Sequence, residues 1–192
     1  MSGHSLFAIV LAAGKASRFG ATKQLAKIDG TSLVARAIRN AESVCGDRSV
    51  LVAGMDWQAV AAASAPLRGY LVVNSEYADG ISGSLKAGIA AVCPAADAVL
   101  LMLADQPLVT TEHLRDLIAE WHASPDSIIA SAYSATTGPP VIFPRRYFPE
   151  LLSVDGDRGA KSVLDANSDQ VLAVDFEAAS IDIDHPDDLA GI

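Results

Sequence analysis

Seven short apolar runs alternate along this chain with longer segments of helical composition, and that alternation leaves few folds open. The runs are Leu6–Ala12, Ser49–Ala53, Leu71–Val73, Ala98–Leu103, Ser127–Ser131, Val141–Phe143 and Gln170–Val174. Ser32–Val44, Trp57–Ser64, Ser82–Val92 and Glu112–Trp121 have the length and residue types of helices. Gly30-Thr31-Ser32 and Thr110-Thr111-Glu112 offer helix starts, while Pro144 and Pro149 punctuate a further short helical stretch. Strands alternating with helices predict βαβ units and a three-layer, Rossmann-like α/β fold with a mainly parallel sheet. Right-handed crossovers then gather loops at the carboxyl ends of the strands, where such folds bind ligands. No repeat, low-complexity tract or linker interrupts the pattern, so residues 1–192 are expected to form one domain.

Composition excludes several classes of function. The chain is 51% apolar and 19% charged, which fits a globular protein and not a disordered one. With 23 acidic against 14 basic side chains, the net charge of −9 argues against a surface that coats nucleic acid. No apolar run reaches the roughly 18–20 residues of a membrane span, and no secretory signal is evident, so the cytoplasm is the expected compartment. Cys45 and Cys93 belong to no CxxC pair and read as buried thiols. His4, His113, His122 and His185 lack zinc-ligand spacing, and Trp57 and Trp121 read as packing residues.

The first apolar run leads straight into Leu11-Ala12-Ala13-Gly14-Lys15-Ala16-Ser17-Arg18-Phe19-Gly20-Ala21-Thr22-Lys23. Small residues admit an anion against backbone N–H groups, and Lys15, Arg18 and Lys23 concentrate positive charge in an acidic protein. Arg18 can grip phosphate oxygens with two parallel hydrogen bonds. A P-loop is excluded because Phe19 stands where its second glycine belongs, and the dinucleotide fingerprint fails because residue 16 is Ala. What remains is LAAG-x3-R-x-G-x2-K.

Further segments fit a phosphate site. Asp105-Gln106-Pro107 follows an apolar strand, which puts a hard carboxylate ligand, suited to Mg²⁺, at a strand's carboxyl end. Between Asn74 and Gly88, Gly80, Ser82, Gly83 and Ser84 lie where a loop enters a helix, so N–H donors and hydroxyls can face a base or phosphate. Near the end, Asp182-Ile183-Asp184-His185-Pro186-Asp187-Asp188-Leu189 places Asp182 and Asp184 on one side of an extended segment before a short terminal helix. His185 reads as an orienting or structural residue, because magnesium prefers oxygen ligands.

These motifs resemble the nucleotidyltransferases with a MobA-like fold, whose signature loop is LAAGxSxRxGxxK. The resemblance spans nearly the whole chain and implies attack of an acceptor phosphate on the α-phosphate of a nucleoside triphosphate, with release of pyrophosphate. It implies that Leu11, Ala12, Ala13 and Gly14 line base and sugar, and that Arg18 and Lys23 neutralise the triphosphate. Asn74, Gly80, Ser82 and Ser84 belong to a stretch associated with nucleotide recognition. Asp105 and Asp184 correspond to the metal ligands, for Mg²⁺. Gly138-Pro139-Pro140-Val141 resembles a GxPV turn, with Pro139 where His or Asn is usual. Gly156-Asp157-Arg158-Gly159-Ala160-Lys161 resembles a GDxGAR loop, with Lys161 in place of Arg. Gly138, Asp157 and Lys161 are thereby implied in acceptor binding.

Within the family the chain looks most like the molybdenum cofactor cytidylyltransferases, which transfer CMP from CTP to molybdopterin for molybdenum hydroxylases. Such an enzyme has those hydroxylases or cofactor-delivery proteins as partners, and no nucleic acid or membrane. Guanylyl-transferring relatives more usually begin LAGG, so Ala13 leans toward CTP. Two alternatives stay open: nucleotidyl transfer to a sugar or alcohol phosphate, and a non-catalytic accessory protein that carries nucleotide or cofactor.

Overall fold

The computed structural model describes residues 4–14, 19 and 21–192. Its centre is β1 (Leu6–Ala12), all seven of whose residues are buried. A strand can be that apolar only if both faces are covered. Its side chains divide by the two-residue period of a strand. Leu6, Ala8, Val10 and Ala12 join a core beneath α1 (Leu33–Cys45), α2 (Trp57–Ala63) and α4 (Thr111–Ala123). Phe7, Ile9 and Leu11 join a second core beneath α3 (Ile81–Val92), α5 (Phe148–Ser153) and α6 (Lys161–Ala166). Helix, sheet and helix make three layers.

The sheet also contains β4 (Ser49–Ala53), β5 (Tyr70–Val73), β6 (Ala98–Leu103), β7 (Ile128–Tyr133), β8 (Thr136–Pro144) and β9 (Val171–Asp175). A separate two-stranded ribbon joins β2 (Lys27–Ile28) to β3 (Thr31–Ser32). The main order is β5-β4-β1-β6-β8-β7-β9, with β8 antiparallel to both neighbours and every other pairing parallel. The chain moves from β1 to β4 on one side and later returns to place β6 on the other. The strand order reverses at β1, which opens a crevice at its carboxyl end.

Both expected helix starts form. Ser32 Oγ accepts the Ala35 N–H at 3.3 Å, and Thr110 Oγ1 accepts the His113 N–H at 3.2 Å. Several expectations are corrected. Gly138, Pro139 and Pro140 lie within β8 and not in a turn, because their chain pairs with β7 across a bulge at Ala130/Ser131. The reversal instead falls at Ser134 and Ala135, both at positive φ. Pro149 lies inside the first turn of α5, where its missing N–H costs no hydrogen bond. The terminal helix is a 3₁₀ helix, Pro186–Gly191. Trp121 is fully buried, but Trp57 is exposed, and Cys93 is only half-buried. Among the described residues no helix is long and apolar enough to cross a membrane.

His113 ties α4 to the sheet. Ser131 Oγ donates to the Pro140 carbonyl at 2.7 Å, so its contact with His113 Nε2 at 2.7 Å requires the imidazole to donate. The ring stacks on Phe176 with centroids 3.9 Å apart. Burial lowers the His113 pKa to about 4, with only partial opposition from Asp116. Its folded pKa therefore lies below its unfolded value, and the neutral ring contributes stability that is present above about pH 6.5 and lost as pH falls toward 4. The loss amounts to about 3 kcal/mol. Urea titrations between pH 7 and 4.5 are expected to show a stability slope that flattens in His113→Gln. An unchanged slope would refute this account.

Candidate functional site

A cleft of about 330 Å³ opens at the carboxyl ends of β1 and β6. Leu11, Ala13 and Gly14 form one wall as β1 ends, and Leu103, Ala104 and Asp105 form another as β6 ends. The two chain ends are tied together by the Ala104 N–H, which donates to the Leu11 carbonyl at 3.1 Å. Ile81 and Ser84 of α3 face the same space, as do Tyr77, Gly80 and Asp157.

Lys23 lies in a single 3₁₀ turn, Lys23–Leu25, and is almost wholly buried. Its ammonium reaches Asp105 Oδ2 at 2.6 Å and Asp184 Oδ1 at 3.0 Å. Burial pulls the Lys23 pKa down, but the Asp105 and Asp184 carboxylates push harder, and the net value is raised. The other oxygen of Asp105, Oδ1, is buried and has no hydrogen-bond partner among the described residues. A carboxylate oxygen left dry and unpaired is costly, which makes Oδ1 a ready ligand for a cation.

Asp184 arrives from the far end of the chain because Ile183 is fully buried beside Ile28 and Leu33. The Ile183 N–H donates to the Asp105 carbonyl at 3.0 Å, and Asp188 Oδ2 accepts the N–H groups of Asp184 and His185 at 2.8 and 2.7 Å. Asp182 keeps part of its side chain exposed. Loss of water around its carboxylate, then the charges of Asp105 and Asp184, push its pKa up to about 6. His185 caps the terminal 3₁₀ helix, a structural role. Among the described residues no group of three metal-ligating side chains assembles, so a metal reading rests on the Asp105–Asp184 pair.

The Asn74–Gly88 stretch folds around the same cleft. Asn74 Nδ2 donates to Ser84 Oγ at 3.0 Å, and Asn74 Oδ1 accepts the Glu76 N–H at 3.0 Å. The Ser82 hydroxyl donates to the Gly156 carbonyl, which also accepts the Ser82 N–H at 3.2 Å. That contact fastens the start of α3 to the loop carrying Asp157. Lys161 donates to Thr136 Oγ1 at 2.9 Å and the Thr137 carbonyl at 3.1 Å, and pairs with Asp165 at 3.1 Å. Gly138 lies under the Tyr133 hydroxyl, in space that any Cβ would need.

A smaller, apolar hollow of about 150 Å³ shares Leu11, Ile81, Leu103 and Asp157 with the cleft and reaches Pro139 and Lys161. The structure thus brings together Leu11, Ala13, Gly14, Lys23, Gly80, Ser84, Asp105 and Asp157 in one cleft, with Asp184 joined through Lys23. Ala12 points into the sheet core, and Asn74 and Ser82 support the cleft from behind. Lys15 and Arg18 lie outside the described residues.

Sequence reasoning missed Tyr77, Gln24 and Gln106. Gln24 Nε2 donates to the Gly14 carbonyl at 3.3 Å, and Gln106 Nε2 donates to the carbonyls of Ala179 at 2.8 Å and Pro139 at 3.2 Å. Gln106 thereby links the Asp105 loop, β8 and the segment leading to Asp184. The available signal was position alone, Gln24 beside Lys23, Gln106 beside Asp105 and Tyr77 within the Asn74–Gly88 stretch, because burial cannot be read from a loop's sequence.

The family model for the MobA-like NTP transferase domain matches residues 8–171, from within β1 to the start of β9. The chain belongs to this family. The nucleotidyltransferase is 28% identical to the purine catabolism protein PucB of Bacillus subtilis over 95% of this chain and 93% of that protein. It superimposes on the crystal structure of Rv0371c from Mycobacterium tuberculosis with a TM-score of 0.85 and 33% identity, covering 98% and 97% of the two chains. A structure of Rv0371c in complex with manganese matches with a TM-score of 0.80 and 31% identity, covering 97% of each chain.

Proposed function

We propose that this protein transfers CMP from CTP to the terminal phosphate of molybdopterin, releasing pyrophosphate, with Mg²⁺ held by Asp105 and Asp184. The observation that carries this reading is the meeting of Lys23, Asp105 and Asp184 at the mouth of a cleft walled by Leu11, Ala13 and Gly14. Two hard carboxylates, one with a buried unpaired oxygen, suit Mg²⁺, and the manganese complex of Rv0371c supports a divalent ion at this fold. The LAAG form of the loop, whose Ala13 lies in the cleft wall, supports CTP as the donor.

In this reading Leu11, Ala13 and Gly14 hold base and ribose, Gly80 and Ser84 shape the opposite wall, and Asn74 and Ser82 brace that wall while Ala12 packs into the core. Arg18 and Lys23 neutralise the triphosphate. Asp157 and Lys161 position the acceptor from the adjoining apolar hollow, with Gly138 next in the chain to its lining residue Pro139, so that the acceptor's phosphate oxygen lies in line with the α-phosphorus. The new P–O bond forms at that oxygen as the bond to the β-phosphate bridging oxygen breaks, and pyrophosphate carries the electron pair away. A bound Mg²⁺ supplies charge neutralisation on the phosphates. The chain's own contribution is alignment and fixed positive charge, with no covalent intermediate. Residues 1–192 act as one domain in the cytoplasm, and the product passes to a molybdenum hydroxylase or a delivery protein.

Pyrophosphate release measured with Mg²⁺, molybdopterin and either CTP or GTP tests this directly. Turnover with CTP is expected to exceed that with GTP by about tenfold or more, the scale of one modest difference in pocket fit. Equal rates would remove the base preference, and turnover with sugar or alcohol phosphates in place of molybdopterin would replace the acceptor.

A further inference from the structure

The Lys23 ammonium stands where a cation shared by Asp105 and Asp184 would stand. It lies 2.6 Å from Asp105 Oδ2 and 3.0 Å from Asp184 Oδ1. A divalent ion bound to the same two oxygens would sit about 2.0–2.1 Å from each, overlapping the ammonium in space and repelling it. The two cations exclude one another. We propose that Lys23 is the resident cation of this seat in the nucleotide-free protein, and that a divalent ion enters only as the Lys23 ammonium moves onto the triphosphate. The proposal rests on the assignment of Asp105 and Asp184 as the metal carboxylates.

Three features of the chain fit such an exchange. Lys23 is anchored by its backbone, whose carbonyl accepts the Ala26 N–H at 3.0 Å, while its side chain is a flexible four-carbon stem. The same side chain already lines the nucleotide cleft, so the ammonium can reach a phosphate there without movement of the main chain. Asp105 uses only Oδ2 for Lys23 and leaves Oδ1 buried and unpartnered among the described residues, so a doubly charged ion taking the ammonium's place would also relieve an oxygen that Lys23 leaves unpaired.

The consequence is linkage. A nucleotide that draws Lys23 away raises the affinity of the carboxylates for metal, and metal raises the affinity for nucleotide by the same factor. Metal added alone must displace the part-buried contacts of Lys23 with the two carboxylates, so the free protein holds it weakly.

Mn²⁺ titration followed by electron paramagnetic resonance tests the exchange on the full chain without nucleotide. Lys23→Met is expected to bind Mn²⁺ at least about tenfold more tightly than the unsubstituted protein, a coupling of about 1.4 kcal/mol. Lys23→Gln, which keeps a polar side chain, is expected to behave alike and serves if the Met variant misfolds. Unchanged or weaker Mn²⁺ binding in folded Lys23 variants overturns the exchange. Asp105→Asn added to Lys23→Met separates the two claims. If it abolishes Mn²⁺ binding while Lys23→Met alone gives no gain, the carboxylate seat stands and the exchange fails. If it leaves Mn²⁺ binding unaltered, the seat is wrong and the exchange falls with it.

Discussion

Asp105→Asn is expected to lower the rate of pyrophosphate release by about 10²–10³, or roughly 2.7–4 kcal/mol of transition-state stabilisation. The substitution keeps the shape of the side chain and removes its charge. It therefore strips the cleft of the carboxylate that is closest to Lys23 and whose second oxygen is buried without a partner. An amide in its place presents either an uncharged oxygen or an N–H₂ group that repels the Lys23 ammonium. The backbone anchor survives, since the Ile183 N–H bonds to the Asp105 carbonyl and not to its side chain. Steady-state kinetics should show the loss in kcat, while circular dichroism and the melting transition report a folded chain. A folded variant with near-normal kcat would remove Asp105 from the reaction.

Gly80→Val is expected to destabilise the protein by about 2–5 kcal/mol, combining backbone strain with overpacking. Gly80 has φ +106° and ψ 179°, a region that only glycine occupies without strain. A Cβ there would stand 2.6 Å from Asp157 Oδ1 and 2.8 Å from the Gly156 carbonyl oxygen. That carbonyl is the one that Ser82 engages through both its N–H and its hydroxyl. The side chain would thus prise the start of α3 from the loop carrying Asp157, damaging cleft and hollow together. Gly30→Val is the matched control. Gly30 has φ +77° with nothing near its missing Cβ, so that variant carries strain alone. Urea denaturation should separate the two variants by at least about 1 kcal/mol. Equal losses would show that the Gly80–Gly156 approach contributes nothing beyond dihedral strain.

The readable parts of the fold were those in which burial and local pattern coincide. Leu6–Ala12, Ser49–Ala53 and Ala98–Leu103 form strands with the bounds their apolar runs predict, because each lies at the middle of the sheet and is covered on both faces. The first residues of β8 failed that test. Thr136-Thr137-Gly138-Pro139-Pro140 has the composition of a turn, and only its partner β7 holds it extended. Trp57 and Trp121 show the same limit, since both sit in helices but only one faces the core.

The site divides along similar lines. The chain's order alone determined that a small-residue loop follows the first strand, that Asp105 follows an apolar strand, and that a parallel sheet would bring both to one edge. These follow from local chemistry and the handedness of crossovers. Tertiary structure alone decided what Lys23 touches. Its sequence neighbours suggested phosphate, yet its ammonium lies on Asp105 and Asp184, which are far from it along the chain. The physical reason is that Coulomb attraction depends on distance in space, and the burial of Ile183 sets that distance for Asp184. Tertiary structure likewise decided that Gln106 braces three segments and that Gly80 lies against Gly156, because both are contacts between parts of the chain that no local pattern relates.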